Sequence, residues 1–334
     1  MGAEEGWRVT SVPGKIVQSD LEFDAGGTWK MKPFRCLVIL FMVHSTLRAG
    51  EPTLEEKLTP LINGHKGDVA VAVKHLRTGE TWLYHANTPM PTASLIKFPV
   101  MVEAYRQAEE GTLDLTKMVT LRDADKVPGA GVLTPHFSDG ASISVRDAIR
   151  LMIMFSDNTA TNLVIDQIGL KSTAETMEKL GYPNTKLHAK VFKGETSVFP
   201  KRSKEFGLGS TTAQEMLSLC EALHQKKLVS ETASKAMLEH MRTCDDNEKF
   251  PRFLPMGLPI AFKTGSVNAA RTCAGIIEDP AAGPFVLCVL TNNNGDQRWN
   301  IENAGNRLCA EIARECFDYF RAQAARKAMG DPSK

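Results

Sequence analysis

Strand-forming segments lie at both ends of this chain, and helical segments fill its middle. On the N-terminal side, Val69-Ala70-Val71-Ala72-Val73 reads as a strand, Thr78-Gly79-Glu80 as a turn and Thr81 to Tyr84 as a second strand. Strand character returns only at Pro259 to Lys263, Arg271 to Ile277 and Pro284 to Leu290. Between them, Ser144 to Met154 places Val145, Ala148, Ile149, Met152 and Ile153 at helical spacing. Thr211 to Leu223 and Ser230 to Met241 are further helices, the first behind a Ser/Thr pair suited to capping. A long helix over about Ile301 to Ala324 closes the pattern. The terminal strands can bury their faces only by joining one sheet, with the last helix packed on it. The expected fold is therefore a two-domain α/β architecture. Both chain ends, 51–91 and 245–334, form an antiparallel sheet with flanking helices. Residues 92–244 form an inserted all-helical domain, and the cleft between the two is the natural place for a small-molecule site.

A length of 334 residues suits about two domains, and 43% hydrophobic with 24% charged residues suits a folded soluble chain. Lys+Arg total 40 and Asp+Glu 39, so no basic excess exists to hold a phosphate backbone, and no nucleic-acid partner is expected. The apolar run Cys36 to Val43 is too short to span a bilayer, which needs about 20 helical residues. It follows the basic stretch Met31-Lys32-Pro33-Phe34-Arg35 and precedes His44-Ser45-Thr46-Leu47-Arg48-Ala49-Gly50, with a cut expected near Ala49 or Gly50 although Leu47 occupies the usual small-residue position. That order is the mark of a secretory signal peptide over 31–49, with residues 1–30 an upstream extension outside the folded domain. The expected location is secreted or periplasmic, with no stable membrane anchor after signal removal and a monomeric state. Cys309 and Cys316 share a helix and stand about 10 Å apart, too far to bridge. Cys273 and Cys288 could face each other across two strands. Neither a CxxC pair nor an HExxH occurs, so no metal or cofactor is expected.

Three short elements carry chemistry. Ser94-Leu95-Ile96-Lys97 opens the first central helix, and residues i and i+3 share a helix face, so the lysine amine can reach the serine hydroxyl. A serine hydroxyl attacks only when a base takes its proton, and a lysine of lowered pKa can be that base. Pro99 would leave the Leu95 carbonyl unpaired, so the first turn is expected to be irregular. Ser156-Asp157-Asn158 ends an apolar helix. Its hydroxyl can relay a proton to a leaving nitrogen, and its amide can hold a substrate amide. Lys263-Thr264-Gly265 ends a strand. Its cation and hydroxyl can bind a carboxylate, and Gly265 lets a substrate backbone approach. Each element alone has a plainer explanation: chance for Ser94 to Lys97, helix capping for Ser156-Asp157-Asn158, and a surface strand end for Lys263-Thr264-Gly265.

The three occur once each, in one order, 62 and 107 residues apart. This set marks class A β-lactamases and penicillin-binding proteins, and the sequence resembles the class A serine β-lactamase family from about Pro52 to Phe320. The context Ser156-Asp157-Asn158-Thr159-Ala160-Thr161-Asn162 and the Gly-rich Pro128-Gly129-Ala130-Gly131-Val132-Leu133 belong to the resemblance. It implies that Ser94 attacks a β-lactam carbonyl and becomes acylated. Lys97 would lie on the proton path, and Ser156 would protonate the ring nitrogen. Asn158 would contact the acyl amide, and Lys263 and Thr264 would hold the substrate carboxylate. The backbone N–H groups of Ser94 and Ser266 would form the oxyanion hole.

Two positions depart from the family pattern. The family's Ω-loop glutamate, which positions the deacylating water, should fall between Leu187 and Ser210, and the expected E-x-x-L-N is absent. Forward alignment puts Val191 in its place, and backward alignment points near Ser197. Glu195 lies between them as the candidate general base, with Glu205 a weaker one. Arg271 is the candidate carboxylate-binding cation, one position early, a slip that reverses strand facing unless a bulge corrects it. The leading reading is a β-lactam hydrolase. Its rival is a D-Ala-D-Ala peptidase of the same fold with slow deacylation, acting on cell-wall peptides. A covalent binding module is a third reading, weakened because the sequence pattern shows no domain beyond this fold and no membrane span.

Overall fold

The computed structural model describes residues 52–329. The upstream extension, the expected signal peptide over 31–49 and Cys36 lie outside the described residues. Five strands form one antiparallel sheet in the order Thr81–Tyr84, Asp68–His75, Gly283–Asn292, Ala270–Asp279, Ile260–Val267. The two ends of the chain meet in its middle, where Val71 pairs with Val289 and Val73 with Leu287.

Both faces of this sheet are covered, which is why Val69 to Val73 is continuously buried instead of alternating with polar residues. On one face Val69, Val71, Val73, Phe262, Ile277 and Phe285 pack with Leu58 of the helix Leu54–Gly64 and with Ile312, Phe317 and Phe320 of the helix Ala304–Ala328. On the other, Ala70, Ala72, Ala274 and Cys288 meet the helical layer, including Met216 and Leu217 of the helix Ala213–His224. Alanine and cysteine on that face let a helix lie close, while the valines of the same strand fill the opposite core.

Helix starts follow their caps. Ser144, Thr212 and Ser230 each accept a hydrogen bond from a backbone N–H three residues on, opening the helices Val145–Met154, Ala213–His224 and Glu231–Arg242. Caps of this kind each stabilise a helix by about 1 kcal/mol.

One expectation about the cysteines is overturned. Cys273 pairs with Val289 and Cys288 with Ala274, so the two are one residue out of register. Successive strand residues face opposite ways, and these two thiols sit in the two separate cores. All six cysteines from Cys220 to Cys316 are free. No described helix is long and apolar enough to cross a membrane.

Candidate active site

Ser94 lies in a single 3-10 turn, Ala93–Ile96, that runs directly into the helix Lys97–Glu109. Pro99 has no N–H to offer, so the first turn tightens as expected, and Ala93 enters it in the left-handed region at φ 46°. Ser94 is partly exposed and lines a cavity of about 1040 Å³ between the turn, the helical layer and the sheet edge. Lys97 is wholly buried behind it. Its Nζ donates to the Ser156 carbonyl at 2.6 Å, to Asn158 Oδ1 at 2.8 Å and to Ser156 Oγ at 3.3 Å. In this state the amine is therefore bound by the Ser156–Asn158 segment and makes no hydrogen bond to Ser94, contrary to the helix-face expectation. Catalytic hydrogen bonds often tighten only around a substrate. Burial, and then the neighbouring Lys263 cation, hold Lys97 well below the usual lysine pKa, with Asp157 pulling the other way.

Ser156, Asp157 and Asn158 form the junction between the helices Val145–Met154 and Asn158–Ile168. Ser156 is in the left-handed region at φ 53°, a strained conformation of the kind that surrounding structure must enforce. Asp157 supplies the enforcement. One carboxylate oxygen caps the second helix through Ala160 N at 2.8 Å. The other accepts from Val132 N at 2.7 Å and Leu133 N at 2.8 Å, fixing the Gly-rich segment that walls the cavity. Gly131, at φ +124°, lies so close that a β-carbon would be 2.3 Å from Asp157 Cγ. Asp157→Ala should lower unfolding free energy by about 2–4 kcal/mol, a lost cap plus two unpaired backbone N–H groups. Urea midpoints measure this, and an unchanged midpoint would show that the segment is held by something else.

Lys263-Thr264-Gly265 lies inside the edge strand Ile260–Val267 and not at its end, because pairing with Ala270–Asp279 continues through Val267 opposite Ala270. The buried Lys263 Nζ donates to Ser156 Oγ at 3.1 Å and to the Thr264 carbonyl at 2.9 Å. Burial lowers its pKa, opposed by Cys244 and Asp246 nearby. Ser156 Oγ thus receives both lysines. Thr264 and Ser266 line the cavity. Gly265 lines it too, but the lack of a side chain serves the protein itself. A β-carbon there would be 2.3 Å from the Thr92 carbonyl and 2.8 Å from Leu95 N, so glycine lets the strand abut the turn that carries Ser94.

Arg271 is placed differently from its expected role. The hairpin closes with regular pairing, Ser266 opposite Arg271, so no bulge corrects the one-residue slip. Arg271 is 1% exposed, and its guanidinium donates to the carbonyls of Val267, Ala270 and Arg298, besides stacking 4.9 Å from the Trp299 ring. Arg271 lines the cavity, but these bonds make it a brace for the hairpin.

The expected Ω-loop exists. Its ends are clamped by pairing of Lys186–Leu187 with Gly209–Thr211. Within it, His188 bonds Ser210 Oγ and the Gly207 carbonyl, which makes it a compact, self-packed loop. The loop is tied to the helical layer at Val191, whose N–H donates to Asn162 Oδ1 at 2.8 Å and whose carbonyl accepts from Asn162 Nδ2 at 3.0 Å. Four residues on, Glu195 is exposed on the turn Gly194–Thr196 and is not among the residues lining the cavity. Glu205 is likewise exposed, on the helix Pro200–Phe206. The structure therefore brings Ser94, Ser156, Asn158, Lys263, Thr264, Gly265, Ser266 and Arg271 to one cavity with Lys97 beneath it, and leaves Glu195 outside. Phe192 and Trp299 were not singled out by sequence, and Asn162 entered only as motif context, without its clamp on Val191. Nothing in their local pattern marks them, since their roles depend on which segments meet.

A family model described as the Beta-lactamase enzyme family matches residues 53–320. Among curated relatives, the chain is 22% identical over 293 residues to the extended-spectrum β-lactamase PER-1 of Pseudomonas aeruginosa, covering 85% of this chain and 92% of that protein. It is 26% identical over 258 residues to a β-lactamase of Streptomyces cellulosae, covering 74% and 79%. Among solved structures, a β-lactamase of Sphaerobacter thermophilus superposes with TM-score 0.70 at 29% identity, over 80% of this chain and 97% of that one. PBP-A superposes with TM-score 0.70 at 23% identity, over 80% and 96%, and a mutant of PBP-A is known as an acyl-enzyme complex with penicillin G. With the family match spanning most of its length, the chain belongs to the Beta-lactamase enzyme family, as a hydrolase of the serine β-lactamase type.

Proposed function

We infer that the protein is a secreted or periplasmic, monomeric serine hydrolase that opens β-lactam rings through an acyl-enzyme on Ser94 and clears that acyl-enzyme slowly. The observation that supports it most is the convergence of Ser94, Ser156 and Lys263 on one cavity with a buried, low-pKa Lys97 beneath. Ser94 Oγ attacks the lactam carbonyl, and its proton passes through Lys97 and Ser156 to the ring nitrogen as the C–N bond breaks. The N–H groups of Ser94 and Ser266 take the oxyanion charge, which is worth about 10²–10³-fold per donor in comparable sites. Thr264 and Lys263 hold the substrate carboxylate, and Asn158 holds the acyl amide. Arg271 contributes by keeping the hairpin in place. Secretion rests on the Met31 to Gly50 pattern.

Slow clearing follows from the loop. The carboxylates that line the cavity, Asp245, Asp246 and Glu248, come from the segment before the edge strand and not from the Ω-loop. Asp246 is engaged by Lys249 at 2.8 Å and Glu248 by Asn306 at 2.6 Å. A missing general base removes roughly 10²–10⁴-fold from a hydrolytic step. The same placement of Glu195 favours the second reading, a D-Ala-D-Ala peptidase acting on cell-wall peptide, in which β-lactams are trapped as adducts.

Intact-mass analysis with a chromogenic cephalosporin tests the proposal. The expected result is a burst, a long-lived adduct mapping to Ser94, and the same slow steady rate in Glu195→Gln. Sustained fast turnover lost in Glu195→Gln would reinstate that residue as the base. D-alanine release from a peptide would select the second reading, and no adduct would sink both.

A further inference from the structure

One wall of the cavity is aromatic and comes from none of the three motifs. Phe192 follows Val191 in the Ω-loop, lines the same cavity as Ser94 and Asn158, and exposes 65% of its surface. Its backbone lies in the left-handed region at φ 57°, which is uncommon for a bulky residue and points to enforcement by surrounding structure. The enforcement is visible. The Asn162 side chain grips both polar groups of Val191, and Lys193 N donates to the Lys190 carbonyl at 3.1 Å, closing the turn around Phe192. The loop is thus fixed on both sides of a residue whose ring is presented to the cavity, not buried in the core.

The neighbouring Gly129 leaves room for that ring. Gly129, at φ +88°, stands where a β-carbon would lie 3.3 Å from Phe192 Cε2 and 2.8 Å from Asn158 Nδ2. A side chain at 129 would crowd both the ring and the amide. Asn158 itself is fixed, with Oδ1 on Lys97 and Nδ2 on the Pro128 carbonyl at 2.9 Å, which leaves its second amide hydrogen without a partner among the described residues. The other exposed aromatic of the cavity, Trp299, is already engaged through Nε1 to Asn268 at 2.9 Å and through the Arg271 stack. Among the described residues Phe192 has no such ring or cation partner.

We propose that Phe192 is a specificity residue for the acyl group. It packs against a flat apolar substituent carried one amide bond from the scissile carbonyl, while Asn158 binds that amide. The substrate class it selects is acyl donors bearing an aromatic or comparably flat apolar group at that position. The inference rests on acyl transfer at Ser94.

The test compares acylation rate constants for two penicillins that share the amide and differ in the group beyond it, phenylacetyl against acetyl. A good aromatic contact corresponds to roughly three- to tenfold in rate. The unsubstituted protein should prefer phenylacetyl by that factor, and Phe192→Gly and Phe192→Asn should both bring the ratio near one while leaving the acetyl rate within about twofold. Both replacements tolerate the left-handed region, so the thermal midpoint should hold or rise, which separates loss of the ring from loss of the fold. A Ser94 adduct with an unchanged ratio in both variants would overturn this inference alone. Absence of any Ser94 adduct in the unsubstituted protein would overturn the acyl-transfer reading and this one with it.

Discussion

Lys97→Met should slow acylation of Ser94 by about 10²–10⁴-fold, the usual contribution of a positioned general base. The side chain is chosen for shape. Methionine keeps most of the buried stem and removes the amine, so the remaining defect is chemical. Ser94→Ala gives the floor, since it removes the nucleophile. The wild-type rate should also depend on pH. Only the neutral amine can accept the serine proton. Burial and Lys263 hold Lys97 well below the usual lysine value, so acylation should rise with pH and level off before an ordinary lysine would deprotonate. Stopped-flow acylation across pH measures both effects. A Lys97→Met variant that acylates at the wild-type rate would remove Lys97 from the proton path. The route would then run through Ser156, whose hydroxyl lies 3.1 Å from Lys263 Nζ.

Val191→Glu should speed turnover if the acyl-enzyme on Ser94 clears slowly, as proposed. Residue 191 is the point at which the Ω-loop is bonded to Asn162. Asn162 lies one helical turn beyond Asn158 on the helix Asn158–Ile168. A carboxylate placed on that clamped backbone would be the loop carboxylate best fixed relative to the acylated serine. Deacylation should quicken by about 10²-fold or more if it positions a water. The same change carries a penalty, because Val191 is buried and a carboxylate there loses hydration. A lower thermal midpoint should therefore accompany the faster clearing. Adduct lifetime by intact mass decides the matter. A destabilised protein with an unchanged lifetime would show that residue 191 does not face the acyl group.

The amino-acid sequence by itself determined the architecture and the chemistry-bearing set. Apolar runs at both ends and amphipathic spacing in the middle have few ways to bury their faces, and the caps Ser144, Thr212 and Ser230 mark helix starts locally. The strand Thr81–Tyr84 and the irregular turn before Pro99 were legible for the same reason, because turn chemistry and a missing N–H act within a few residues. Ser94, Lys97, Ser156, Asn158 and Lys263 could be selected from three unique motifs.

What the motifs could not carry was direction, because direction comes from contacts between segments far apart in the chain. Lys97 turned to Ser156 and Asn158 because the junction of two other helices offers it two carbonyl oxygens and a hydroxyl. Gly265 serves the approach of Thr92 and Leu95, 170 or more residues earlier. Arg271 became a brace because the hairpin stayed in regular register. Glu195 faces solvent because Asn162 grips the loop four residues earlier and fixes how the following turn projects. Sequence determines which groups exist and which elements they ride on. Only tertiary packing decides where a side chain on a loop points, since the loop has no periodicity of its own and takes its orientation from whatever anchors it.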